Sequence, residues 1–197
     1  ALFSVQSQLK RMADLFVAFV LLLVTAPLIA MAALLIWLED RGPVFYSQRR
    51  SGWLGREFTV FKLRTMSVQP LDSPPEWTQP GDQRITKVGS LLRKVRLDEL
   101  PQLFNVLIGE MSLIGPRPER PELERQLEKS IPHYRKRHWM RPGLSGWAQV
   151  SAPYASSIEE SDLKLSYDLF YIKNFNTWLD VSIAIRTIKI ILKAAGR

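Results

Sequence analysis

From Leu15 to Leu38 the chain carries no charged residue and is almost wholly apolar. A bilayer's hydrocarbon core is ~30 Å thick, and about 20 helical residues cross it. A secretory signal peptide does not fit. The run is too long, no small-residue cleavage site ends it, and Glu39-Asp40 follow directly. Pro27 falls at its middle, where it lacks an N–H and presses on the carbonyl of Leu23, so a kink is expected. The Thr25 hydroxyl can repair a freed carbonyl. Lys10 and Arg11 precede the run; Arg41, Arg49 and Arg50 follow it. The positive-inside rule places both flanks on the cytoplasmic side. A bent helix that enters and leaves by one face satisfies proline and charge together. Each arm of ~12 residues is ~18 Å long and dips into the membrane without crossing it. A straight span and a buried helix of a soluble core are the alternatives.

The chain has 197 residues, which suits one structural unit beyond the apolar segment. The expected division is a re-entrant helix over residues 1–41 and a unit over 42–197. Lys plus Arg number 27 against 19 Asp plus Glu, a formal charge of +8, and 46% of residues are apolar. That balance excludes a disordered chain. There is no cysteine, so thiolate metal sites, disulfides and thiol nucleophiles are excluded. Residue 1 is Ala rather than Met, which fits the C-terminal part of a longer protein.

Beyond residue 42 the pattern is α+β and mainly α. PVFYSQR (Pro43 to Arg49) and REFTVFKLRT (Arg56 to Thr65) are rich in β-branched and aromatic residues and flank Gly52 and Gly55, which predicts a hairpin. Met66 to Gln83 contains four prolines and reads as a loop. Helices are expected over Ile85–Lys94, Pro101–Leu107, Glu119–Lys129, Pro132–Trp139, Glu159–Asn174 and Thr177–Lys193. The last sets Ser182, Arg186, Lys189 and Lys193 opposite Trp178, Val181, Ile185, Ile188 and Leu192. That is the pattern of a helix lying flat among headgroups, or of an ordinary core helix with a solvated stripe.

Three clusters carry candidate chemistry. In LLRKVRLDELPQL, Pro101 belongs in a first helical turn, which sets Asp98 and Glu99 at a helix start behind Arg93, Lys94 and Arg96. Acidic residues there also serve simply as caps. In GPRPERP, two prolines hold the backbone on either side of Arg117, a suitable phosphate clamp or a plain surface turn. In HWMRPGLSGWAQV, Gly143 and Gly146 allow close backbone approach, with Trp147 and Gln149 as contacts for a base or sugar. Lys62 and Arg64 add positive charge from the second strand. There is no GxxxxGK loop and no GxSxG elbow. His133 and His138 are mis-spaced for a helical metal pair, and His133 reads as a surface residue.

KRMAD before the Pro-broken helix, then FTVFKLRTM, LDELPQLFNVL, GEMSLIGPRPERP, RPGLSGWAQV and YDLFYIKN follow in order. Together they resemble the bacterial sugar transferases, monotopic polyprenol-phosphate phosphoglycosyl transferases, over nearly the whole chain. The resemblance implies transfer of a sugar phosphate from a UDP-sugar to undecaprenyl phosphate, releasing UMP, as the first membrane step of exopolysaccharide, lipopolysaccharide or glycoprotein glycan synthesis. It implies that Asp98 is the nucleophile of a ping-pong reaction and that Glu99, with Asp98, holds Mg²⁺. Arg117 and Arg93 would bind phosphate, with Lys62, Arg141, Gln149 and Asp168 lining the site. It further implies the cytoplasmic face of the bacterial inner membrane, an anionic lipid surface as partner, a glucose or galactose donor with N-acetylated sugars open, and a homo-oligomer built through upstream domains. No nucleic-acid partner is expected. The competing reading is a membrane-anchored basic protein that binds lipid or nucleic acid without catalysis.

Overall fold

The computed structural model describes residues 5–68, 82–152 and 158–193. Helix α1, Val5–Asp40, takes up the apolar run and continues through Pro27. Thr25 Oγ1 donates to the Leu21 carbonyl at 2.7 Å, within the turn that leads into the proline. Asp14, Ala18, Ala32 and Ile36 are buried along α1, with Leu22 and Ile29 packed between them. Their spacing in steps of three, four and seven residues makes one face. The other face is exposed and apolar from Leu9 to Leu38, with Phe16, Leu23 and Val24 all more than 60% accessible. Among the described residues, α1 is the one helix long and apolar enough to cross a membrane.

Strands β1 (Phe45–Ser51) and β2 (Glu57–Leu63) form the expected antiparallel hairpin, in register from Phe45↔Leu63 to Ser51↔Glu57. The connection turns back through left-handed backbone at Leu54 and Gly55. Helix α2, Lys87–Lys94, starts on Thr86, whose hydroxyl accepts from Gly89 N at 2.9 Å. The 3₁₀ turn Leu97–Gln102 follows and leads into α3, Leu103–Ile108. Pro101 therefore lies in the 3₁₀ turn rather than opening α3. Asn105 on α3 is fully buried and mimics a paired strand along β2: Nδ2 donates to the Thr59 carbonyl at 2.7 Å, and Oδ1 accepts from Phe61 N at 3.4 Å.

Strand β3 (Ser112–Ile114) pairs in parallel with β4 (Gly143–Ser145), a pair the sequence reading lacks. Between them come α4 (Pro121–Ser130) and the 3₁₀ turn Tyr134–Trp139; α5 (Trp147–Ser151), α6 (Ile158–Asn174) and α7 (Thr177–Leu192) complete the chain. Most of the loop expected over Met66–Gln83 lies outside the described residues, as do residues 1–4 of the expected membrane segment.

One core cluster joins Ala18 to Phe58, Val60, Leu103, Val106 and Met111; another joins Ala32 and Ile36 to Leu63 and Leu92. Both halves of α1 thus pack on the same hairpin-centred unit. At about 1.5–3 kcal/mol per large buried aliphatic side chain, these contacts hold α1 firmly against it. Helix α7 has three sides. Ile183 is fully buried against Ile114 and Tyr171, whereas Trp178, Val181, Ile185, Ile188 and Leu192 are all exposed. The apolar face read from the sequence is therefore not the face that fills the core.

Candidate active site

Arg96, in left-handed backbone (φ 59°), precedes the turn that carries Asp98 and Glu99. A non-glycine residue in this region costs on the order of 1–3 kcal/mol and persists only when its surroundings enforce it. The turn packs against β2, the strand that supplies Lys62. Lys62 Nζ and Arg117 Nη2 both donate to Glu99 Oε1 at 2.8 Å. Arg96 stands 3.6 Å from Glu99 Oε2. Burial pushes the Glu99 carboxyl up, but Arg117 and Lys62 outweigh it and hold it well below the usual range. Burial lowers Lys62 despite Glu99 beside it. Arg117 is raised by the charge of Glu99.

Asp98 is different. It is half-buried and makes no hydrogen bond or ion pair among the described residues. Burial, then the neighbouring Glu99 charge, raise its carboxyl; Lys62, Arg93 and Arg96 act against them without prevailing. A carboxylate without partners beside a strongly paired one is the pattern of a nucleophile and its electrostatic setting. Arg93 donates to Thr65 Oγ1 at 2.8 Å and so is held close behind the dyad.

The donor set is compatible with Mg²⁺. Among the described residues neither Glu99 Oε2, 3.6 Å from Arg96, nor the Asp98 carboxylate accepts a hydrogen bond, leaving carboxylate oxygens for a hard cation. Among the described residues no three His, Asp or Glu side chains cluster as a metal set. That ion commonly takes one or two carboxylates and completes its shell with phosphate oxygens and water.

The remaining expected residues divide. Arg117 and Lys62 converge on the dyad. Asp168 is buried and pairs with Arg137 at 2.9 Å rather than touching Glu99. Arg141 donates to the Gly109 carbonyl at 2.9 Å and lies over the Trp53 ring at 4.3 Å. Gln149 donates to the Leu144 carbonyl at 3.2 Å, and its Oε1 is buried without a partner. Neither Arg141 nor Gln149 contacts the dyad. His133 is exposed. Arg64 binds Asp40 at the end of α1, a structural role.

The sequence reading missed Arg50 and Arg137. The hairpin register puts Tyr46 opposite Lys62, so Tyr46, Gln48 and Arg50 share the Lys62 face. Pairing the two strands residue by residue would have revealed Arg50. Beyond Tyr134 three residues back, Arg137 is held by partners 20 and 31 residues away, which no local pattern marks.

The model of the family described as bacterial sugar transferase matches residues 5–194. An Aeromonas hydrophila protein named UDP-N-acetylgalactosamine-undecaprenyl-phosphate N-acetylgalactosaminephosphotransferase is 45% identical over 95% of this chain and 44% of its own length. A Komagataeibacter xylinus undecaprenyl-phosphate glucose phosphotransferase is 42% identical over 91% of the chain and 35% of its own. A Xanthomonas campestris pv. campestris UDP-glucose:undecaprenyl-phosphate glucose-1-phosphate transferase is 41% identical over 90% and 37%. The chain spans less than half the length of these three relatives. With the match running from α1 through α7, this chain belongs to the bacterial sugar transferase family.

Proposed function

We propose that this chain transfers a sugar 1-phosphate from a UDP-sugar to undecaprenyl phosphate through a covalent intermediate on Asp98. The observation that carries the reading is the contrast within the dyad: Glu99 is held by Lys62 and Arg117, while Asp98 beside it makes no hydrogen bond or ion pair among the described residues. An Asp98 oxygen attacks the β-phosphorus, the bond from that phosphorus to the oxygen bridging the α-phosphate breaks, and UMP leaves. The lipid phosphate then attacks the acyl phosphate, releasing the Asp98 carboxylate and forming the lipid diphosphate sugar. Lys62 and Arg117 present fixed positive charge to the phosphate oxygens, where preorganised donors are worth most. Mg²⁺, held by Glu99 and Asp98, would neutralise diphosphate charge.

The packing of α1 supports one membrane arrangement. Lys10 pairs with Asp180 at 2.7 Å near one end. Near the other, Glu39 accepts from Lys87 N and Asp40 pairs with Arg64. A helix crossing the bilayer would carry these two ends to opposite sides, and one charged unit cannot reach both. We therefore read α1 as entering and leaving by the cytoplasmic face, with its exposed apolar side and that of α7 in one leaflet. The dyad would then meet a lipid phosphate at headgroup depth, with the +8 charge favouring an anionic surface.

Incubation with Mg²⁺ and a panel of UDP-hexoses and UDP-N-acetylhexosamines, without lipid, tests the chemistry. A phosphosugar mass adduct on Asp98 with stoichiometric UMP is expected, absent in Asp98→Asn. Lipid-dependent turnover without any adduct would support a one-step ternary reaction instead. The sugar giving the fastest UMP release identifies the donor.

A further inference from the structure

The loop that aims Arg117 offers only carbonyls at its prolines, since Pro116 and Pro118 have no N–H. Four successive carbonyls are taken by three other parts of the fold, two of them by β1. Pro116 O accepts from Gly143 N at 2.9 Å, at the start of β4, and Glu119 O from Ser51 N at 2.9 Å, at the end of β1. Between them, side chains act. Arg137 donates to Arg117 O at 2.7 Å, and Arg50 donates to Pro118 O at 3.2 Å.

Both guanidinium groups are themselves braced. The Arg137 side chain is 4% exposed, pairs with Asp168 at 2.9 Å and donates to Tyr134 Oη at 2.7 Å. Arg50 donates to Gln48 Oε1 at 2.7 Å and lies 3.9 Å from Glu119 Oε2. Glu119 in turn is held by Lys164 at 2.7 Å. A planar fork with several donors can bind a carboxylate and a carbonyl at once, which an ammonium does less well.

We propose that Arg137, braced by Asp168, and Arg50 are positioning residues that fix the Arg117 peptide from two sides and so set where its guanidinium meets Glu99 and a substrate phosphate. They act on the reaction through Arg117 alone. This rests on the reading of the dyad and Arg117 given above. It also gives Asp168 a role that needs no contact with substrate.

A double-mutant cycle tests it. Steady-state UMP release is measured with the full chain in lipid nanodiscs for wild type, Arg137→Lys, Arg117→Lys and the double variant, with unfolding midpoints recorded beside it. Arg137→Lys keeps the charge opposite Asp168 and gives up the fork. With Arg117 present, kcat/KM is expected to fall about 10- to 100-fold, because an error near 1 Å at a positioning group costs that much. In the Arg117→Lys background the same change is expected to cost less than about twofold, as for residues that act as one unit. Arg50→Lys runs the same cycle on a less buried side chain, should Arg137→Lys fail to fold. Equal fold losses in both backgrounds would mean a purely structural role and overturn the proposal, as would full activity in both Arg137→Lys and Arg50→Lys. No UMP release by wild type with any UDP-sugar would instead remove the transfer reading, and the proposal with it.

Discussion

At the scale of single residues, the two neighbouring carboxylates are set apart by what surrounds them. Glu99 stays ionised through neutral and mildly acid conditions because Arg117 and Lys62 hold its carboxyl low. Asp98 is raised by burial and by Glu99. The proposed role of Asp98 as nucleophile requires it ionised, so activity is expected to be lost as pH falls through the folded Asp98 value. The acid limb is expected above the ~3.9 of a free aspartate. Arg96 opposes the rise, so Arg96→Gln should move the limb to higher pH still. Single-turnover UMP release without lipid is the measurement, because a lipid phosphate would titrate on its own near pH 6. A limb at or below the ordinary aspartate range, or one moved downward by Arg96→Gln, would contradict this account. Stability carries the opposite sign. A raised carboxyl favours the protonated folded state, so the fold loses stability as pH rises through that range. Asp98→Asn, which mimics the neutral form, should therefore unfold at a higher temperature than wild type at pH 7 while forming no adduct.

At the scale of elements, close backbone approach sets the spacing behind the dyad. Helix α2 leans on the strand exit at Thr65, and a Cβ at Gly89 would sit 2.1 Å from the Thr65 carbonyl oxygen and 2.7 Å from its carbonyl carbon. Backbone cannot yield as a flexible side chain does. Gly89→Ala should push α2 away, disturb the Arg93 bond to Thr65, and cost about 1–3 kcal/mol as an overpacked core does. Chemical denaturation in detergent measures it; an unchanged midpoint would show that the helix shifts freely. Such contacts also explain what the sequence made legible. The hairpin, α2, α4, α6 and α7 were readable because each is long enough to show a period, although α2 and α4 start two residues later than expected, after Thr86 and at Pro121. Strands β3 and β4 are three residues each, too short for any alternation to appear. Their pairing depends on Gly115 and Gly143 meeting backbone to backbone, with a Cβ at Gly143 only 2.1 Å from Gly115 N. Asp98, Glu99, Lys62, Arg117 and Asp168 stood out from motif order, but the contacts among them did not: Lys62 reaches Glu99 across 37 residues, and Arg137 reaches Asp168 across 31. Such meetings are products of tertiary packing, and local propensity carries no trace of them.

At the scale of the whole molecule, the question is how a 36-residue apolar helix coexists with a charged unit that grips its length. At 1.5 Å per residue α1 would extend about 54 Å, well beyond the ~30 Å hydrocarbon layer. Length alone would permit a tilted span. Contacts argue otherwise. Arg11 donates to the carbonyls of Val106 and Leu107, Ala18 and Leu22 pack on α3 and β2, and Asp40 closes on Arg64. Drawing α1 through a bilayer would strip these contacts or carry their charges into hydrocarbon, at several kcal/mol for each unsatisfied group. A helix lying with one side on the unit and the other in a leaflet keeps all of them. Because the chain has no cysteine, two introduced ones report topology cleanly. Gln8→Cys and Arg41→Cys lie at exposed positions on either side of the apolar run. In sealed inside-out vesicles, both should react with a membrane-impermeant maleimide, and in right-side-out vesicles neither should until the membrane is permeabilised. Reaction of one site in each orientation would establish a crossing helix. It would also require the packing of at least one half of α1, on Ala18 or on Ile36, to be abandoned in the membrane.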